Sequence, residues 1–153
     1  MSDLYLAHHG ILGQKWGVRR YQNPDGTLTD AGKRKYRKSI ELIDSAKKDI
    51  NGVKTKATNR YYSKQWYADK MEEDLRNGFT HPEIKKNAVN ARASANYAKA
   101  IIRNADILYK RIADIDVTKH SYKDVKKLID KYAAESYYEI GTAYSNYQKS
   151  LVD

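Results

Sequence analysis

The chain has 153 residues, 29 of them basic and 19 acidic, for a formal net charge of +10. It has no cysteine, which excludes disulfides, thiolate metal centres and a thiol nucleophile, and no stretch reaches the ~20 apolar residues that a membrane span needs. A compact chain of this length buries roughly 70 % of its unfolded surface, enough for one core, and the basic balance favours acidic or polyanionic partners.

Residues 1–9 lack both the basic start and the apolar run of a signal peptide, so a protein made and retained, or packaged, inside a cell is expected. Five of the eight glycines (Gly10, Gly13, Gly17, Gly26 and Gly32) fall in residues 1–32, and residues 1–38 carry a net +5. Asn23-Pro24-Asp25-Gly26 predicts a turn. Pro24 presets φ at the second position, Asp25 suits the third, and Gly26 supplies the positive φ that follows. That turn would join residues 18–22 to 27–29 as a small hairpin. Residues 1–32 hold too few bulky side chains for a core of their own, so they are expected to dock on a surface, with the helical body in residues 33–153.

From Tyr36 onward apolar positions recur every three or four residues: Tyr36, Ile40, Ile43, Ala46, Ile50, Val53, Ala57, Tyr61, Gln65, Ala68, Met71 and Leu75. This predicts one long helix, capped by Thr29 and stopped at Asn77-Gly78. Gly52 lies in phase at a cost of about 1 kcal/mol relative to Ala, and a break there is the four-helix alternative. A second helix opens at Thr80-His81-Pro82-Glu83, with Thr80 as cap and Glu83 closing a capping box. Its stripe is Ile84, Ala88, Ala91, Ala95, Ala98, Ile102, Ala105, Leu108, Ile112 and Ile115. After a loop around residues 116–120, Ser121 and Asp124 cap a third helix with the stripe Tyr122, Val125, Ile129, Tyr132, Ser136, Ile140, Ala143, Tyr147 and Leu151. The expected fold class is all-α: an antiparallel bundle of three long helices, or four, with a glycine-rich N-terminal extension and a hairpin.

His8 or His9, Gly10, Gly13, Lys15, Trp16, Gly17, Arg19, Arg20, Tyr21, Gln22, Asn23, Asp25, Gly26, Leu28, Thr29, Ala31 and Gly32 form a dense pattern within residues 8–36. The pattern resembles a motif at the end of otherwise different head-region proteins of phages and prophages of Gram-positive bacteria. The resemblance implies association with a phage particle or its assembly, in the host cytoplasm or the virion, and no known chemistry. A motif carried by different bodies behaves as a docking element. Trp16 and Tyr21 offer large anchors, while Lys15, Arg19 and Arg20 offer charge-assisted contacts to an acidic surface of a phage structural protein.

The remaining candidates divide by chemistry. Lys33, Arg34, Lys35, Arg37 and Lys38 form the densest basic run and could meet nucleic-acid phosphates, against a bland reading as a solvated helix end. His8-His9, His81 and His120 read as polar turn residues rather than metal ligands, and Glu72, Glu73 and Asp74 as a solvated face rather than an acid–base pair. Gly10, Gly13 and Lys15 do not have phosphate-loop spacing. Neither a metal nor a cofactor is expected, and the function expected is non-enzymatic particle docking, with nucleic-acid binding or inhibition of a host defence enzyme as alternatives. The tyrosine pairs Tyr61-Tyr62 and Tyr137-Tyr138, and Trp66-Tyr67, are expected to turn one ring inward and one outward or to the boundary. Self-association is left open by the sequence.

Overall fold

The computed structural model describes residues 21–152 as three α-helices. Helix α1 spans Asp30–Arg76, α2 Pro82–Ala113 and α3 Tyr122–Ser150. At 1.5 Å per residue, the 47 residues of α1 make a rod ~70 Å long that passes through Gly52 without interruption. The four-helix alternative is therefore not the arrangement seen, because an in-phase glycine weakens a helix without breaking its packing stripe. No helix of the described residues is long and apolar enough to cross a membrane.

Local chemistry sets the ends. The Thr29 hydroxyl accepts from the Gly32 amide and opens α1. At the other end Gly78 adopts φ +90°, and the amides of Gly78 and Phe79 reach the carbonyls of Leu75 and Asp74 in a Schellman stop. The cap of α2 is His81, one residue later than expected. A residue before proline is pushed out of the helical region, so His81 (ψ 128°) is the last non-helical position and Pro82 takes the first helical one. Its Nδ1 accepts from the Glu83 amide at 3.3 Å. Ser121 caps α3 as the sequence indicates, accepting from the Asp124 amide at 3.2 Å.

Cross-helix partners establish the directions. Arg92 meets Asp69 and Glu72 of α1, while Asp106 meets Lys54, so α2 runs antiparallel to α1. Arg111 pairs with Glu135 and Asn90 with Val152, so α3 turns back again and lies parallel to α1. The seam between α1 and α2 is built from alanines. Ala57 and Ala68 face Ala88, Ala91, Ala95 and Ala98, all buried, and small side chains let two backbones approach closely over a long distance. Bulkier residues gather nearer the start of α1, where Ile43, Ile50, Ala105, Ile112 and Val125 form a cluster to which all three helices contribute.

Helix α3 packs mainly on α2 and only lightly on α1. Two expectations fail for that reason. Val53 lies in the α1 stripe yet is 51 % exposed, because α3 stands away from it. Tyr137 and Tyr138 are both exposed, since the face of α3 turned to the bundle runs through Ser136 and Ile140 and leaves neither ring inside. Trp66 and Tyr67 are likewise both exposed, whereas Tyr61 is half-buried beside an exposed Tyr62.

A Cβ at Gly52 would meet nothing within 4 Å. Gly52→Ala should therefore stabilise the protein by about 0.5–1 kcal/mol in urea unfolding. An unchanged or lower midpoint would show that α1 is not continuous there.

A candidate docking site at the base of the bundle

Residues 21–29 fold back on the first turn of α1. The turn is the one the sequence predicts: the Gly26 amide donates to the Asn23 carbonyl at 3.0 Å, and Gly26 holds φ +87°. Asp25 Oδ1 accepts from both the amide and the hydroxyl of Thr27, at 2.9 and 2.7 Å. The first of these bonds does most to hold the Asp25 carboxyl below its ordinary range. Within the described residues the hairpin shrinks to a single antiparallel bridge between Gln22 and Leu28. Residues 18–20 of the expected first strand lie outside the described residues.

The returning strand seats on α1 at Gly32. A Cβ at that position would overlap the Tyr21 carbonyl oxygen and lie 3.2 Å from Leu28 Cδ2. The same carbonyl accepts from the Thr29 amide at 3.2 Å, one bond before the Thr29 side chain caps the helix. Glycine is thus required here for close backbone approach and not for its φ. The composition boundary at residue 32 falls inside this unit, since residues 30–32 are already the first turn of α1.

Two side-chain contacts tie the segment sideways. Gln22 Nε2 donates to Thr118 Oγ1 at 3.2 Å, across the loop between α2 and α3. Thr118 is held in turn by Asp116, whose Oδ1 accepts from its hydroxyl at 2.6 Å and its amide at 2.9 Å. The hydroxyl bond is the chief reason that the Asp116 carboxyl sits below its ordinary range. Tyr21 packs edge-on against Tyr36 with ring centres 6.2 Å apart, and Lys35 Nζ lies 4.1 Å above the Tyr21 ring.

Of the five residues expected to dock a partner, Lys15, Trp16, Arg19 and Arg20 lie outside the described residues. Tyr21 is described, and its ring is engaged with α1. The five basic candidates, Lys33, Arg34, Lys35, Arg37 and Lys38, all lie exposed on the first turns of α1. Lys33 stands 3.7 Å from Asp30, and Arg37 3.7 Å from Glu41. Among the described residues no carboxylate lies within ion-pair distance of Arg34 or Lys38.

The acidic run has a structural role. Glu72 joins Asp69 in gripping Arg92 at 2.7 and 2.8 Å, while Glu73 and Asp74 hold Lys70 at 3.3 and 3.4 Å. The Glu72 bond, more than the Asp69 bond, raises the Arg92 guanidinium above its ordinary value. Among the described residues no group of three or more potential ligands could hold a metal ion. His8 and His9 lie outside them, as do Gly10, Gly13 and Lys15.

The model of a family of unknown function (DUF7211) matches residues 1–23. No curated protein and no solved structure matches the chain. The matched segment thus overlaps the described residues only at Tyr21, Gln22 and Asn23, where the chain joins the bundle.

Thr118 and the closure at Gly32 carry the attachment, and the sequence signals neither directly. A local hint exists: Asp25-Gly26-Thr27 and Asp116-Val117-Thr118 share the Asp-x-Thr spacing, in which a carboxylate takes a backbone amide two residues on. Gly32→Ala tests the closure. It gains about 1 kcal/mol of helix propensity, yet overpacking costs about 1–3 kcal/mol, so net destabilisation and a shifted Gln22 side-chain amide resonance in NMR spectra are expected. Stabilisation with the Gln22 resonance in place would contradict the contact.

Proposed function

We propose that this is a non-enzymatic phage protein, associated with the virion or with head assembly, whose front segment docks it to a particle component. The observation that carries the reading is the commitment of residues 21–32 to the bundle. With Tyr21, Gln22 and Gly32 used to seat the segment, recognition of another protein falls to the residues just before them. Lys15, Trp16, Arg19 and Arg20 combine a large aromatic anchor with cations suited to an acidic surface. The family match to residues 1–23 covers all four of these residues. The motif resemblance supplies the phage setting.

Deleting residues 1–20 spares the residues that form the α1 cap and its clasp, whereas a longer deletion would remove them. The shortened chain should keep its helical circular dichroism and unfolding midpoint. Its abundance in purified particles, read by mass spectrometry, should fall about tenfold or more, and Trp16→Ala in the full chain should do the same. Incorporation unchanged by the deletion would contradict the proposal.

Nucleic-acid binding is the second reading, favoured by the exposed Arg34 and Lys38 with no carboxylate close by among the described residues. Binding of a labelled DNA duplex should then fall steeply with salt, and the double variant Arg34→Ala/Lys38→Ala should reduce the log–log slope by about 2. A flat salt dependence would set this reading aside.

A further inference from the structure

Positive charge is gathered at one end of the bundle. Helices α1 and α3 run parallel, and the bond from Gln22 to Thr118 sets the loop before α3 beside the start of α1. The cluster of Ile43, Ile112 and Val125 brings the last turn of α2 to the same level. Residues 30–41 and 110–131, which build this end, hold 12 basic and six acidic side chains, a net +6. Residues 65–95 and 140–152, which build the other, hold six basic and five acidic ones, a net +1.

Helix α3 supplies cations that lie outside the basic run on α1. Lys123 and Lys127 stand two residues either side of the fully buried Val125, so both point away from the core, and Lys131 continues their row. All three are exposed, as is Lys126 beside them. Like charges four residues apart repel on a helix, and Lys123 opposes the dipole from the first turn. Asp124 and Asp130 are the carboxylates of the same turns. Asp124 accepts the Ser121 hydroxyl at 2.6 Å, and neither carboxylate lies within ion-pair distance of these lysines.

We propose that this end of the bundle binds a nucleic-acid duplex through its phosphates, Lys123, Lys127 and Lys131 adding a second row of contacts to Arg34 and Lys38. The α3 row rests on the nucleic-acid reading given for α1 and extends it to a second helix. Lysine is a mobile point charge, suited to a dense array of phosphates and depleted from protein–protein interfaces, which centre on aromatic and arginine anchors. A duplex carries one negative charge per about 1.7 Å of its axis, so its phosphates can meet both helices without a fixed register. Tyr122 is the one large apolar side chain exposed among the described residues of this end, too little to seat it in a bilayer. Phosphate contacts alone carry no sequence information, so binding without sequence preference is expected.

Fluorescence anisotropy of a short labelled DNA duplex, titrated with the full chain across a salt series, tests the row. Lys123→Gln/Lys127→Gln/Lys131→Gln should reduce the log–log slope by about 2–3 with helical circular dichroism unchanged, and Lys127→Gln alone by about 1. Lys85→Gln/Lys86→Gln/Lys149→Gln removes the same charge from the far end and should alter the slope by less than about 1. Binding by the unaltered chain that is absent, or flat in salt, overturns the nucleic-acid reading and the α3 row together. Steep binding that the α3 variants leave unchanged overturns the row alone, as does an equal loss in the far-end variant. Phosphatidylglycerol vesicles that displace the duplex at equal phosphate concentration would overturn the choice of partner.

Discussion

At residue 32 the backbone of the front segment comes so close to α1 that any side chain would collide with the Tyr21 carbonyl. That contact fixes where Tyr21 meets the first turn of α1. Once the strand is seated there, the Thr29 amide can reach the same carbonyl, the Thr29 hydroxyl can cap α1, and Gln22 comes within reach of Thr118. Each of these bonds is worth about 1 kcal/mol by itself, and together they hold one geometry because they share a backbone that has nowhere else to lie. The last residues of the segment matched by a family of unknown function, Tyr21 to Asn23, thus belong to a short, well-specified joint.

The body supplies a platform of uneven coverage. Alanine lets α1 and α2 lie close along a long seam, but alanines bury little apolar area each, so bulk is concentrated where Ile43, Ile112 and Val125 meet. Helix α3 is fastened there and along α2, through Tyr97 stacked on Tyr147 at 5.3 Å and through Arg111 and Glu135. Its far side is left open, as is an apolar cleft of about 240 Å³ bordered by Ile50, Val53, Tyr137 and Ile140. A chain that spends its small residues on one seam leaves several of its tyrosines at the edges, Tyr62, Tyr137 and Tyr138 among them.

Helix type and most helix ends were legible because 3.6-residue periodicity, Thr29, Ser121 and Gly78 act locally, and the structure repeats them, whereas the choice between three helices and four at Gly52 was not. The turn at Asn23-Pro24-Asp25-Gly26 was legible for the same reason. The His81 cap was in principle readable from Pro82, whose constraint on the preceding residue outweighs the preference of Thr80 for capping. Periodicity gives the direction a side chain faces but not whether a third helix stands there. That is why Val53, Tyr137 and Tyr138 came out exposed. Of the site, the exposure of the basic run on α1 is as its sequence suggests, whereas the link from Gln22 to Thr118 joins residues 96 apart and has no local signature.

Hydrogen exchange at the Thr29 amide tests the joint most directly. If the Tyr21 carbonyl is seated over Gly32, that amide exchanges as slowly as those of the first turn of α1 in the full chain, and Gly32→Ala releases it while leaving the middle of α1 protected. Exchange of the Thr29 amide at the rate of an unprotected peptide in the unaltered protein would contradict the account.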